Sequence, residues 1–188
     1  MVSWSDLTTR ASGYKVLASD WNALVNGLNL SNSGTASKGR PAVMAVSTAT
    51  TALTQDTWIG PVAFAGTDEY DTDSMHDTAT NNSRIIATVA GLYQVTVDLY
   101  ASDHSQAEAI HVMIRKNAAG SSAGGTFLCQ ASTTFSTNGN VITGCNLATY
   151  ARLSANDYLE VFVFSEASGE SLAGTTQSHR FGMIWQTA

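Results

Sequence analysis

Charged residues are what this 188-residue chain has least of. Lysine, arginine, aspartate and glutamate make up 13% of it, about half of the roughly 25% usual in soluble domains. The formal net charge is −6, so the sequence offers no basic patch for nucleic acid or for an anionic membrane surface. We therefore expect no nucleic-acid partner.

Long apolar runs and cysteines are scarce as well. No apolar run approaches the roughly 20 residues of a transmembrane helix, so we expect no insertion into a membrane. The two cysteines, Cys129 and Cys145, are too few and too far apart for a metal knuckle or a disulfide framework. Two buried thiols are the simpler interpretation, because unpaired cysteine is among the most buried residue types. A disulfide between them is the alternative.

One segment near the N-terminus has helical periodicity. Its apolar residues recur at i, i+3, i+4 and i+7, as Trp21, Leu24, Val25 and Leu28, and Ser19 is placed to cap the helix. A helix of about ten residues is too short to be stable alone. Its apolar stripe must therefore pack on its own domain, on another copy or on a larger assembly.

We divide the chain into three parts by composition. Residues 1–30 form an N-terminal anchor segment with the short amphipathic helix, and residues 31–40 form a linker rich in Ser, Gly and Asn. Residues 41–188 alternate strand patterns with turn signals, which predicts an all-β domain. For these strands the simplest closed arrangement is an antiparallel, two-sheet jelly-roll sandwich.

Nine strands are predicted in the third part. They span residues 42–46, 57–64, 84–89, 92–102, 109–116, 126–135, 141–153, 158–165 and 180–185. Two of them are apolar on both faces, and they contribute Phe162, Phe164, Phe181, Met183 and Trp185. We expect these five side chains to lie in the core or at an interface between copies of the chain. Coverage by a loop of the same chain is the alternative.

The order of these segments resembles the globular head of complement first component subunit q and its tumour-necrosis-factor-like relatives. The matching positions are Gly91 and Tyr93 in "GLY", Asn117 in a turn, Leu153, Asp157 and Tyr158 in "LSANDY", and Phe181 and Gly182 in "RFG". Asn156 stands where these domains usually carry glycine, and asparagine tolerates a positive φ. The resemblance implies a tumour-necrosis-factor-like fold and a tight homotrimer.

A second resemblance concerns the N-terminal segment. The stretch "GYKVLASDWNALVNGLN" is similar to short leaders of tailed-bacteriophage fibre, spike and minor structural proteins. It implies a structural, non-enzymatic virion protein displayed on the particle surface, whose residues 1–30 bind a capsid or tail protein. We expect a capsid decoration protein or head fibre; the alternative is a tail-associated knob that binds a host surface glycan or protein.

The densest group of ionisable residues lies in "DEYDTDSMHD". Asp71, Asp73 and Asp77 carry carboxylates of the kind that bind Ca²⁺, an ion that takes six to eight oxygen ligands. No EF-hand spacing is present, and a solvated acidic loop is the alternative interpretation. Calcium is the one cofactor we consider.

The sequence favours no enzymatic mechanism. The histidines at 76, 104, 111 and 179 are scattered without zinc-binding spacing, and we expect them on the surface. "GESLAG" lacks the spacing of a nucleophile elbow. Tyr70, Tyr100 and His104 are candidates for contacts with a glycan, because aromatic rings stack on the apolar faces of sugars.

Overall fold

Twelve β-strands form in the part of the chain that the computed structural model describes, namely residues 40–102, 108–134, 142–173 and 178–187. In chain order they are β1 (Ala42–Ser47), β2 (Thr51–Ala52), β3 (Thr57–Ile59), β4 (Tyr70–Asp71), β5 (Arg84–Ile86), β6 (Gly91–Ser102), β7 (Ala109–Lys116), β8 (Thr126–Thr134), β9 (Thr143–Leu153), β10 (Tyr158–Ser165), β11 (Ser171–Leu172) and β12 (His179–Thr187). No helix that could cross a membrane occurs within these residues.

The strands form two antiparallel sheets. The large sheet has seven strands, in which β4, β1, β12, β6 and β9 lie side by side and the short β11 and β2 continue beside β6. The small sheet has four strands in the order β5, β10, β7 and β8. The prediction of an all-β, two-sheet fold is confirmed.

Strict alternation in β6 places one face of the large sheet in the core. Its odd positions Tyr93, Val95, Val97 and Leu99 are at most 1% exposed, while its even positions are half-buried. From the small sheet, β10 and β7 present Leu159, Val161, Val163, Ile110, Val112 and Ile114 to the same core. Burying one such side chain stabilises the fold by about 1.5–3 kcal/mol.

Two predicted strands are shorter than expected. The strand predicted over 57–64 ends at Ile59, because Gly60 adopts φ of +130° and Pro61 has no N–H to donate. The strand predicted over 84–89 ends at Ile86. The three two-residue strands β2, β4 and β11 were not predicted, since two residues are too few to show a period.

Residues of the same chain cover part of the outer apolar face of β10. Phe162 is 1% exposed and packs with Met113, Ala118 and the half-buried Trp58, which β3 carries over the small sheet. Phe164 is half-buried with its ring centroid 5.4 Å from that of Trp58. The alternative interpretation, coverage within one chain, therefore holds for Phe162.

A buried ion pair holds the turn between β7 and β8 against β10. Glu160 is 0% exposed and accepts hydrogen bonds from Arg84 Nε at 2.8 Å and from the Gly120 N–H at 3.1 Å. The Arg84 guanidinium lies 4.4 Å from the centre of the Tyr158 ring. The hydrogen bond to Glu160 raises the pKa of Arg84. Through the Gly120 N–H, the Glu160 carboxylate also holds the turn in place.

Both cysteines carry free thiols in neighbouring strands. Cys129 of β8 is half-buried and Cys145 of β9 is buried. Cys129 lies near Thr149, and Cys145 lies near Thr133. Each thiol therefore faces a threonine across the junction of β8 and β9. Of the two thiols interpreted as buried, only Cys145 is buried.

Candidate functional site

The outer face of the large sheet presents two adjacent rows of uncharged side chains. The register across β1, β12, β6 and β9 places Met44, Gly182, Thr96 and Ala148 in one row and Ala42, Ile184, Gln94 and Tyr150 in the next. We call these eight residues the uncharged face. The outer face of an antiparallel sheet is ordinarily solvated and polar. This face carries the apolar side chains Met44, Ile184 and Ala148 beside Thr96 and Gln94, and it is the candidate contact surface.

Glycine and methionine keep the centre of the uncharged face flat. A Cβ atom on Gly182 would lie 2.8 Å from Met44 Cε and 2.7 Å from Thr96 Oγ1. The Met44 side chain therefore lies across Gly182 and fills the place where a larger residue would project. On the other side of the Met44 row lies a row with the charged side chains Arg180 and Asp98. Together with Val46 and Asn146, these residues border the flat area.

Strands β8 and β9 are the neighbouring edge strands of the two sheets, and each carries an exposed aromatic residue. Phe127 of β8 is 51% exposed and Tyr150 of β9 is 63% exposed. Cys129 of β8 lies near Thr149 of β9, so these parts of the two strands are level. Within the described residues, β8 pairs only with β7 and β9 only with β6. These long edges are open to pairing or packing with another chain.

The predicted calcium ligands are engaged in ordering their own loops. Asp71 accepts hydrogen bonds from the N–H groups of Asp73, Met75 and His76 at 3.0–3.1 Å. Asp77 accepts two at 2.9 Å from the N–H groups of residues 79 and 80, which lower its pKa. In the described residues no group of three Asp, Glu, His or Cys side chains converges on one point, so the geometry gives the calcium prediction no support.

The expectation that the histidines lie on the surface is wrong for two of them. The His76 side chain is fully buried; its Nδ1 lies 2.9 Å from Asp68 Oδ1 and its Nε2 donates to the Asn82 carbonyl at 3.0 Å. His179 is 1% exposed, and burial lowers its pKa. His111 lies on the outer face of the small sheet, as expected, and His104 is outside the described residues.

A shallow cleft of about 410 Å³ opens beside His76. It is lined by Asp68, Ser74, Met75, His76, Asp77, Thr78 and Ile86. Burial raises the pKa of Asp68, and Ile86 is 38% exposed. The cleft combines acceptor groups with one apolar wall, but neither Tyr70 nor Tyr100 lines it.

The residues predicted for the core or an interface lie mainly in the core. Phe181 and Met183 are 0% exposed and Trp185 is 8% exposed, all on the inner face of the large sheet. Sequence reasoning missed the outward residues of the same sheet. The available signal was that the polar positions of β6 and β9 carry Thr96, Gln94, Ala148 and Tyr150 in place of charged residues.

The proposed anchor residues and the predicted helix lie outside the described residues. This applies to Trp21, Leu24, Val25 and Leu28, and the division at 1–30 and 31–40 stays a prediction. Of the glycan-contact candidates, Tyr70 is 37% exposed and Tyr100 stacks on His179 with ring centroids 6.4 Å apart.

The structure is similar to a complement component head. It matches the globular domain of the zebrafish complement 1qA protein with a TM-score of 0.53 and 12% sequence identity, covering 79% of this chain and 99% of that chain. At this identity the match shows the fold alone, which is a jelly roll of the complement and tumour-necrosis-factor type. No model of a protein family matches the sequence, and no curated protein matches it.

Proposed function

We propose that this chain is a structural, non-enzymatic bacteriophage virion protein that forms a homotrimeric knob on the particle surface. Residues 1–30 bind the particle, residues 31–40 form a joint and residues 41–188 project outward. Capsid decoration or a head fibre is the favoured role, because the chain has no long shaft between anchor and knob. The phage assignment rests on the resemblance of residues 13–29 to phage leaders.

The uncharged face of the large sheet is the observation that supports a trimer. Covering the apolar part of this flat area with a second protein removes it from water and so stabilises the complex. A three-fold ring needs two different surfaces, since the same contact must run head to tail around the axis. The open edge of β8, where Phe127 is 51% exposed, supplies the second surface.

Light scattering of the purified protein tests the assembly. We expect three times the chain mass of 19.8 kDa, both for the full chain and, in proportion, for a chain beginning at Lys38. A full chain that is monomeric contradicts the trimer. A trimeric full chain with a monomeric shorter chain assigns assembly to the N-terminal segment and removes its role as a free anchor.

A substitution on the uncharged face tests the location of the interface. Ala148→Glu places a carboxylate at an exposed position in the row of Gly182 and Thr96. The fold should tolerate this substitution, while the trimer should dissociate. Ile86→Glu is the matched control, because Ile86 is exposed on β5 at the opposite edge of the small sheet. Equal masses for the two variants would place the interface elsewhere.

The cleft beside His76 is the observation that favours the alternative role, a tail-associated knob that binds a host surface glycan. Carboxylate oxygens of Asp68 and Asp77 can accept hydrogen bonds from sugar hydroxyls, and Ile86 offers an apolar contact. Soluble protein that blocks phage adsorption would support this role. Labelled antibody that binds only the capsid shell would exclude it.

A further inference from the structure

Three polar side chains on the outer face of the small sheet form a continuous hydrogen-bonded array. Ser132 Oγ lies 2.5 Å from His111 Nδ1, and His111 Nε2 lies 3.2 Å from Glu166 Oε1. Strand pairing builds this array, because the register places Phe164, His111 and Ser132 side by side on β10, β7 and β8. A hydroxyl, an imidazole and a carboxylate in this order are the components of an activated nucleophile.

The hydrogen-bond partners of His111 indicate which ring nitrogen carries the proton of the neutral imidazole. The Gln130 Nε2 amide also lies 3.3 Å from His111 Nδ1, so two donors converge on that nitrogen. Nδ1 is therefore the acceptor, and the ring proton sits on Nε2, where it is donated to Glu166. The lone pair on Nδ1 faces the Ser132 hydroxyl and the Gln130 amide.

Contacts within the fold hold Glu166 and the His111 ring in place. Glu166 Oε2 accepts a hydrogen bond from the Ala109 N–H at 3.2 Å, so each carboxylate oxygen has a fixed donor. The Phe164 ring packs edge-on against the His111 ring with centroids 5.5 Å apart. The hydrogen bond from His111 lowers the pKa of Glu166, which keeps the carboxylate charged as an acceptor.

Ser132 is open to reagents in solution. It is exposed, the His111 side chain is 20% exposed and that of Glu166 is 45% exposed. Five residues of extended strand, about 16 Å at 3.3 Å each, separate Ser132 from Phe127. The array therefore lies at the opposite end of β8 from the aromatic edge assigned to assembly.

We propose that Ser132 is a nucleophile that is acylated by esters with good leaving groups. Ser132 Oγ attacks the carbonyl carbon as its proton passes to His111 Nδ1. The carbon–oxygen bond to the leaving group then breaks, and the leaving oxygen takes that proton. The Gln130 amide, 3.3 Å from His111 Nδ1, is a donor beside Ser132, and side-chain amides stabilise oxyanions elsewhere.

The ester para-nitrophenyl acetate tests the proposal on the full-length protein. We expect a burst of nitrophenolate equal to one acetyl group per chain, with the acetyl mapped by peptide mass to Ser132. Ser132→Ala should abolish the burst, and Thr134→Ala, an exposed position on the same strand, should leave it unchanged. An acetyl group on His111 or on lysines alone, or a burst that persists in Ser132→Ala, overturns the proposal.

Two further variants separate the base from the residue that positions it. His111→Gln should slow acetylation about 100-fold or more, the usual contribution of a general base. Glu166→Gln should slow it, and Glu166→Asp should restore part of the rate, since a shorter carboxylate still accepts the Nε2 proton. Rates in His111→Gln equal to those of the unsubstituted protein, with thermal unfolding unchanged, would show that the array is only structural.

Discussion

At the scale of single residues, Glu160 is a buried carboxylate that joins β5, β10 and the turn after β7. It is fully buried and accepts hydrogen bonds from Arg84 and Gly120. Glu160→Gln removes the negative charge and leaves a guanidinium facing a neutral amide. Because breaking a buried ion pair costs about 3–5 kcal/mol, we expect a loss near the lower figure, seen as a lower urea midpoint at constant slope.

The exposed ion pair between Glu69 and Arg180 is the control for this substitution. Its side chains are 44% and 42% exposed, and exposed pairs contribute about 0–1 kcal/mol. Glu69→Gln should therefore shift the urea midpoint little. Equal shifts in the two variants would mean that the Glu160 pair owes nothing to its burial.

The fate of individual predictions follows how local each signal was. Asn156 adopts φ of +70°, as its place in the turn required, and the alternation in β6 gave its buried face correctly. The buried positions of His76 and His179 had no sequence signal, because each depends on partners brought in by distant strands. The uncharged face was likewise invisible until the register aligned four strands.

At the scale of the strand, the start of β6 depends on a glycine. Gly91 has φ of +155°, and a Cβ atom there would lie 2.4 Å from both the Thr187 carbonyl oxygen and Trp185 Nε1. Gly91→Ala must therefore push β12 away from β6. We expect a loss of about 3 kcal/mol or more, the upper end of what local backbone strain costs, measured by thermal unfolding.

Gly120→Ala is the control that distinguishes backbone strain from steric overlap at Gly91. Its φ is +79°, and a Cβ atom there would meet no atom within 4 Å. Gly120→Ala should lose only about 1–2 kcal/mol, the cost of a left-handed conformation for a residue with a side chain. A loss as large as that of Gly91→Ala would show that crowding at β12 is not the cause.

At the scale of the whole molecule, a trimer should make stability depend on protein concentration. Subunits that associate only when folded stabilise one another by mass action, so the thermal midpoint should rise with concentration. Ala148→Glu should remove that dependence and leave the midpoint of an isolated subunit. A midpoint that stays constant over a wide range of concentrations would contradict an assembly that dissociates as it unfolds.

The reactivity of the thiols at the junction of β8 and β9 offers a measure of how often the sandwich opens there. Burial raises the pKa of both Cys129 and Cys145, and a protonated thiol reacts slowly with alkylating reagents. Alkylation of the buried Cys145 must therefore wait until the two strands separate, whereas the half-buried Cys129 is the more accessible thiol. The alkylation rate at Cys145 then reports how often that edge opens in the otherwise folded protein, without introducing a new cysteine.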